Sequence, residues 1–143
     1  MYKRQGKGPE PNASATVILE GAEITADALN NGDGGRVIVW SDEYTNFAGS
    51  ITAKGSGSGD GGFVETSSKD NLQVSGFVDA SGIGAGTWLL DPRNVTITTT
   101  SSGGPDMAQL FSPTADNAQV KASTIVTTLT NGNNVIILSL IHI

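Results

Sequence analysis

Ile24-Thr25-Ala26, Ile51-Thr52-Ala53 and Val78-Asp79-Ala80 recur at a constant step of 27 residues, and the reading of that recurrence decides the fold. The same step carries Gly32-Asp33-Gly34-Gly35 onto Gly59-Asp60-Gly61-Gly62, Val37 onto Val64 and Phe47 onto Val74. Register held at that many separate places marks an internal repeat over residues 18–90.

A unit of this length, with alternating apolar and polar residues and Gly-rich joints, describes one coil of a parallel β-solenoid. Stacked coils lie about 4.8 Å apart. Superposing them gives the columns Ile18/Thr45/Leu72, Glu20/Phe47/Val74, Ala22/Gly49/Gly76, Ile24/Ile51/Val78 and Ala26/Ala53/Ala80. The positions between, Thr25/Thr52/Asp79 and Asn46/Gln73, are mostly polar and therefore point outward. Glu20 breaks the Phe47/Val74 column, which marks the first coil as irregular or near an end.

The joints agree with this architecture. In Gly32-Asp33-Gly34-Gly35 and its copy, Gly permits φ > 0 and Asp hydrogen-bonds its own backbone, the chemistry of a sharp turn. The third joint, Ser81-Gly82-Ile83-Gly84-Ala85-Gly86, is three residues shorter and lacks the Asp. Loops are where a solenoid absorbs such changes.

Composition narrows the function classes. The 143 residues include no Cys, and 8 basic against 14 acidic residues give a net charge of −6. No disulfide framework or thiolate metal site is available. The acidic balance argues against nucleic acid as a partner, and no apolar run reaches the length of a membrane span. Both ends read as foreign. Met1-Tyr2-Lys3-Arg4-Gln5 resembles the translated end of a sequencing-library adapter, and Leu138-Ser139-Leu140-Ile141-His142-Ile143 resembles its opposite strand. Residues 1–5 and 138–143 are therefore read as adapter-derived, which removes the only histidine, His142, from any native chemistry.

Between those ends, residues 6–15 form a Pro/Gly loop, 16–92 three coils and 93–137 further irregular coil. Val37 and Val39 are expected inward, with Ile38 and Trp40 outward beside the equivalent outward positions Glu65 and Ser67. Ala26-Asp27-Ala28-Leu29 is too short for a stable helix and reads as loop. Pro92 forces a change of direction. Asn94–Thr99 reads as strand, 101–117 as a polar loop with Pro105 and Pro113, and Asn131-Gly132-Asn133-Asn134 as a turn before the strand Val135-Ile136-Ile137. For 123–130 the β-branched content favours strand while the leading Ser123 favours helix, and both stand open.

The string Gly32-Asp33-Gly34-Gly35-Arg36-Val37-Ile38-Val39-Trp40, with Phe47-Ala48-Gly49-Ser50-Ile51, Phe77-Val78-Asp79-Ala80, Leu89-Leu90-Asp91-Pro92 and Asn94-Val95-Thr96-Ile97, resembles the filamentous-haemagglutinin-like exoproteins of two-partner secretion. The resemblance spans residues 18–137. It implies a right-handed parallel β-helix in a large secreted or surface protein of Gram-negative bacteria. It further implies export through an outer-membrane two-partner secretion transporter, and attachment to a host-surface protein or glycan. Trp88 departs from the small aliphatic residue expected there and puts the packing of that coil in question.

Chemistry is sparse. A carbohydrate-active β-helix enzyme of the pectate-lyase kind stacks acids and bases on one outward face. The column Thr25/Thr52/Asp79 offers one acid, and Asp42-Glu43 lie over Lys69-Asp70. Asp33 and Asp60, one coil apart among Gly carbonyls, read first as the acids of two turns; they are also the best candidate for a shared Ca²⁺, though two acids supply few ligands. Trp40 reads first as cover for a loop or as a contact with a neighbouring part of the protein, and second as a candidate stacking residue for a carbohydrate or a partner protein. The reading is an adhesin stalk with no assigned catalytic, cofactor or metal residue. The alternatives are the enzyme and a calcium-stabilised extracellular binding module.

Overall fold

The computed structural model describes residues 11–99 and 118–139. Residues 1–10, the stretch 100–117 with the whole of the expected polar loop, and 140–143 with His142 lie outside the described residues. Three coils are present. The first holds β1 (Ala15–Ile18), β2 (Glu23–Thr25) and β3 (Arg36–Val39); the second, β4 (Tyr44–Phe47), β5 (Ser50–Thr52) and β6 (Phe63–Ser67). The third holds β7 (Asn71–Val74), β8 (Phe77–Asp79) and β9 (Thr87–Asp91). Beyond it come β10 (Val95–Thr98), β11 (Ala118–Lys121), α1 (Ala122–Thr130) and β12 (Asn134–Ile137). The strands form three parallel sheets, ordered β1-β4-β7-β11-β10, β2-β5-β8 and β3-β6-β9-β12. The molecule is a parallel β-solenoid with coils of about 27 residues.

Register follows the repeat with two instructive departures. Ile24, Ile51 and Val78 pair in line, as do Val37 and Val64. Across the short third joint, Val64 pairs with Trp88, as the three-residue deletion requires. In the first coil, however, Ile18 pairs with Phe47 and Thr16 with Thr45. The columns Ile18/Thr45 and Glu20/Phe47 are therefore corrected by two residues. The bend after β1 is longer than its copies, and Gly21 at φ 81° turns it. Glu20 lies exposed in that bend, and Ile18 fills the column, so no acid enters the core.

The core runs up the axis as stacked inward residues: Phe47 with Val74, Ile51 with Val78, Ala53 with Ala80, and Val64 with Trp88. Trp88 is fully buried, meets Phe47 edge-on with 6.5 Å between centroids, and donates its indole N–H to Thr66 Oγ1 at 2.9 Å. The packing question raised by Trp88 is thereby answered. Its ring packs in the core against Phe47, and its one polar atom has a partner.

Beyond Pro92 the chain leaves the simple spiral. Ser67 pairs with Asp91, so a corner of the usual length would set Val95 opposite Asn71 and turn Thr96 and Thr98 into the core. Instead β11 occupies the place on β7, with Ala118 and Val120 fully buried, and β10 pairs outside it. The segment 123–130, open between strand and helix, is helical. Its hydroxyls decide this by serving the free edge of β8. Thr124 Oγ1 donates to the Ser75 carbonyl at 3.3 Å, and Thr128 Oγ1 to the Val78 carbonyl at 3.1 Å. Asn133 Oδ1 accepts from Ala80 N–H at 2.8 Å while its Nδ2 donates to the Thr128 carbonyl at 3.0 Å. The helix thus caps the sheet β2-β5-β8 in place of a fourth strand.

Candidate functional site

The long joint between the second and third sheets is held coil to coil by side chains at the repeat step. Asp27 Oδ1 accepts from Lys54 N–H at 2.6 Å, Asn31 Oδ1 from Ser58 N–H at 2.9 Å, and Asp33 Oδ1 from Asp60 N–H at 2.9 Å. Asp60 Oδ1 in turn accepts from Gly84 N–H at 2.9 Å. Asp33 and Asp60 therefore act as pegs into the next coil. Each has one carboxylate oxygen committed to a backbone donor, and no group of three or more His, Cys, Asp or Glu is gathered for a metal among the described residues. Asp60→Ala removes one such peg from an exposed site and should lower stability by about 1 kcal/mol, read as a reduced urea midpoint. A midpoint unchanged in both Asp60→Ala and Asp33→Ala would show the pegs to be idle.

The other acids are dispersed. Asp79 accepts from Ser81 N–H, and Asp42 accepts from the Asn12 side chain and, at 3.4 Å, from the Trp40 indole. Trp40 is half-buried at the corner after β3. Asp70 faces Arg93 at 3.7 Å with both side chains more than half exposed, a contact worth little in water. Glu43 and Lys69 are both exposed.

The chemically distinctive position is Glu65, on the outward face of β6 between Ile38 of β3 and Leu89 of β9. The sequence places Glu65 and Ser67 outward, which holds, but as surface residues, which does not: Glu65 is 4% exposed and Ser67 0%. Glu65 Oε1 is buried with no hydrogen-bond partner. Burial pushes its carboxyl above the ordinary range; Asp91 adds to the rise, while Ser67 and Arg36 oppose it. Arg36 itself sits 4.5 Å above the centre of the Phe63 ring. The neighbouring outward face carries Tyr44, Asn46, Asn71 and Gln73, all buried, with the Tyr44 hydroxyl pushed up by burial and countered by Asn46. A period-two pattern gives the direction of Glu65 but not its depth, so sequence reasoning missed it.

The sign of the Glu65 effect is fixed. The folded state holds the proton to higher pH than the unfolded chain, so stability is lost as pH rises from the ordinary carboxyl value through the raised one. Glu65→Gln should remove that slope, matching the parent near pH ~4 and exceeding it near pH ~8. Parallel stability profiles for parent and variant would refute this. The arrangement sets a carboxyl pushed up by burial near a second carboxylate, Asp91, yet buries it. No protein-family model and no curated protein matches the chain.

Proposed function

We propose that the chain is a stalk segment of a large secreted or cell-surface bacterial adhesin, a solenoid that carries attachment and performs no catalysis. The observation that supports this best is the joint ladder Asp27, Asn31, Asp33 and Asp60, whose side chains bind the next coil rather than converge on a ligand. Polar groups committed coil to coil make a rod in which each layer holds the next. The resemblance to haemagglutinin-like exoproteins supplies the role: export through an outer-membrane partner and contact with a host-surface protein or glycan. The deciding experiment is recovery of the surrounding genomic sequence. The reading expects a secretion domain upstream in the same frame and a transporter gene beside it; a frame flanked by polysaccharide-degrading enzymes would overturn it.

One observation favours a second reading, a carbohydrate-active β-helix enzyme. Glu65, its carboxyl pushed up by burial and by the nearby Asp91, has the environment of a general acid. Product release from polygalacturonate or a related glycan by the purified chain, lost in Glu65→Gln, would establish it.

A further inference from the structure

An Asn-Gly pair is open to spontaneous covalent change, because glycine puts no side chain between its own amide nitrogen and the preceding carboxamide carbon. The chain holds two such pairs, Asn31-Gly32 and Asn131-Gly132, and both asparagines are exposed. By sequence they are equivalent; by surroundings they are not. Asn31 is fixed into the stack. Its Oδ1 accepts from Ser58 N–H at 2.9 Å and from Ser58 Oγ at 3.1 Å. Gly32 N–H donates to the Ser56 carbonyl and the Gly32 carbonyl accepts from Ser56 N–H, at 3.0 Å each. Bringing the Gly32 nitrogen onto the Asn31 carboxamide therefore requires opening the joint between two coils.

Asn131 stands instead at the C-terminal cap of α1. Among the described residues, the side-chain hydrogen bonds of this turn are made by Asn133 and not by Asn131. The attacking nitrogen is held by the bond from Gly132 N–H to the Leu129 carbonyl, at 3.0 Å in the last turn of the helix. Helix ends fray and open at lower cost than the interior of a stack. We propose that Asn131 is a site of spontaneous deamidation in the folded chain, that the stack protects Asn31, and that conversion of Asn131 loosens the cap over β8. The Gly132 nitrogen bonds to Asn131 Cγ and loses its proton to water; the Cγ–Nδ2 bond breaks, and Nδ2 takes a proton from water and leaves as ammonia. Water then opens the cyclic imide at either carbonyl, giving aspartate or, with the main chain rerouted through the side chain, isoaspartate. Both products weaken the cap. Aspartate puts a negative charge at the negative end of the helix dipole. Isoaspartate adds a methylene to the main chain just before Asn133, whose Oδ1 accepts from Ala80 N–H and whose Nδ2 donates to the Thr128 carbonyl.

The test is incubation of the full chain at mildly alkaline pH, followed by mass mapping of the tryptic peptides 8–36 and 122–143, which separate the two sites. In the folded chain, conversion at Asn131 should outrun conversion at Asn31 by about tenfold or more. In concentrated urea, where the stack is gone, the two rates should agree within about threefold. Amide exchange at Ala80 should be faster in the converted fraction than in the parent. Equal rates in the folded chain, faster conversion at Asn31, no conversion at either site, a ratio that survives urea, or unchanged exchange at Ala80 would overturn the proposal. The comparison uses one unaltered chain in two solvents, so a misfolded variant cannot imitate its outcome. It is also independent of the adhesin reading.

Discussion

Trp88→Ala is expected to lower stability by about 3–5 kcal/mol, the range for emptying a large aromatic site in a packed core. A domain of this size has about 5–15 kcal/mol in all, so the variant should unfold at low urea or fail to fold at all. Two losses combine. The indole is the largest fully buried side chain, and it is the edge-on neighbour of Phe47, so its removal opens a cavity where the second and third coils meet. The fully buried Thr66 hydroxyl also loses its donor. Trp88→Phe is the milder change, because it keeps an aromatic ring beside Phe47 while removing the N–H and part of the indole's volume. Its cost should be about 1–2 kcal/mol. Midpoints of urea unfolding by circular dichroism give both numbers. A loss under about 1 kcal/mol for Trp88→Ala would mean that the coils do not pack through this residue.

The second large effect is expected at Gly59. An added methyl there would overlap the Gly32 carbonyl oxygen and crowd the amide of Asp33, all backbone atoms of the coil below. Backbone cannot rotate aside as a side chain does, so the joint must move. Movement would disturb the Ser56 and Gly32 pairing, at 3.0 Å in each direction, and the bond from Ile83 N–H to the Gly59 carbonyl at 2.9 Å. Gly59→Ala should cost about 3 kcal/mol, the upper end for forcing atoms into filled space. Gly132→Ala is the control: nothing lies within 4 Å of its added Cβ, but φ is 81°, so only backbone strain of about 1–2 kcal/mol is expected. Equal midpoints for the two variants would contradict the close-approach argument.

The joints show how the sequence could be read and where the reading stopped. Gly32-Asp33-Gly34-Gly35 and its copy read as positive-φ turns in the sequence, but only Gly32 has positive φ; at Gly34, Gly59, Gly61 and Gly62 the requirement is instead a close approach of neighbouring backbone. That Asp33 and Asp60 reach the amide of the following coil is a contact over a 27- or 24-residue separation. It depends on how closely two joints stack, which no local preference encodes. The first coil shows the same limit. A constant step assigned Glu20 to the core, whereas a two-residue lengthening of the bend at Gly21 moved Ile18 there. The repeat was correct after the bend, where Ile24 meets Ile51, and two residues out before it, where Ile18 meets Phe47.

The sequence by itself determined the parallel solenoid, its coil length, the inward columns from Ile24 to Val78, the shortened third joint and the break at Pro92. Each of these follows from periodicity and from residues with intrinsic backbone preferences. Only the tertiary structure decided that 122–130 is a helix, that β11 displaces β10 from β7, and that Glu65 is an outward acid buried with one carboxyl oxygen unpartnered. The physical reason is common to the three. Each is settled by which free edge or covered face a segment meets across the stack, and those neighbours are distant in sequence.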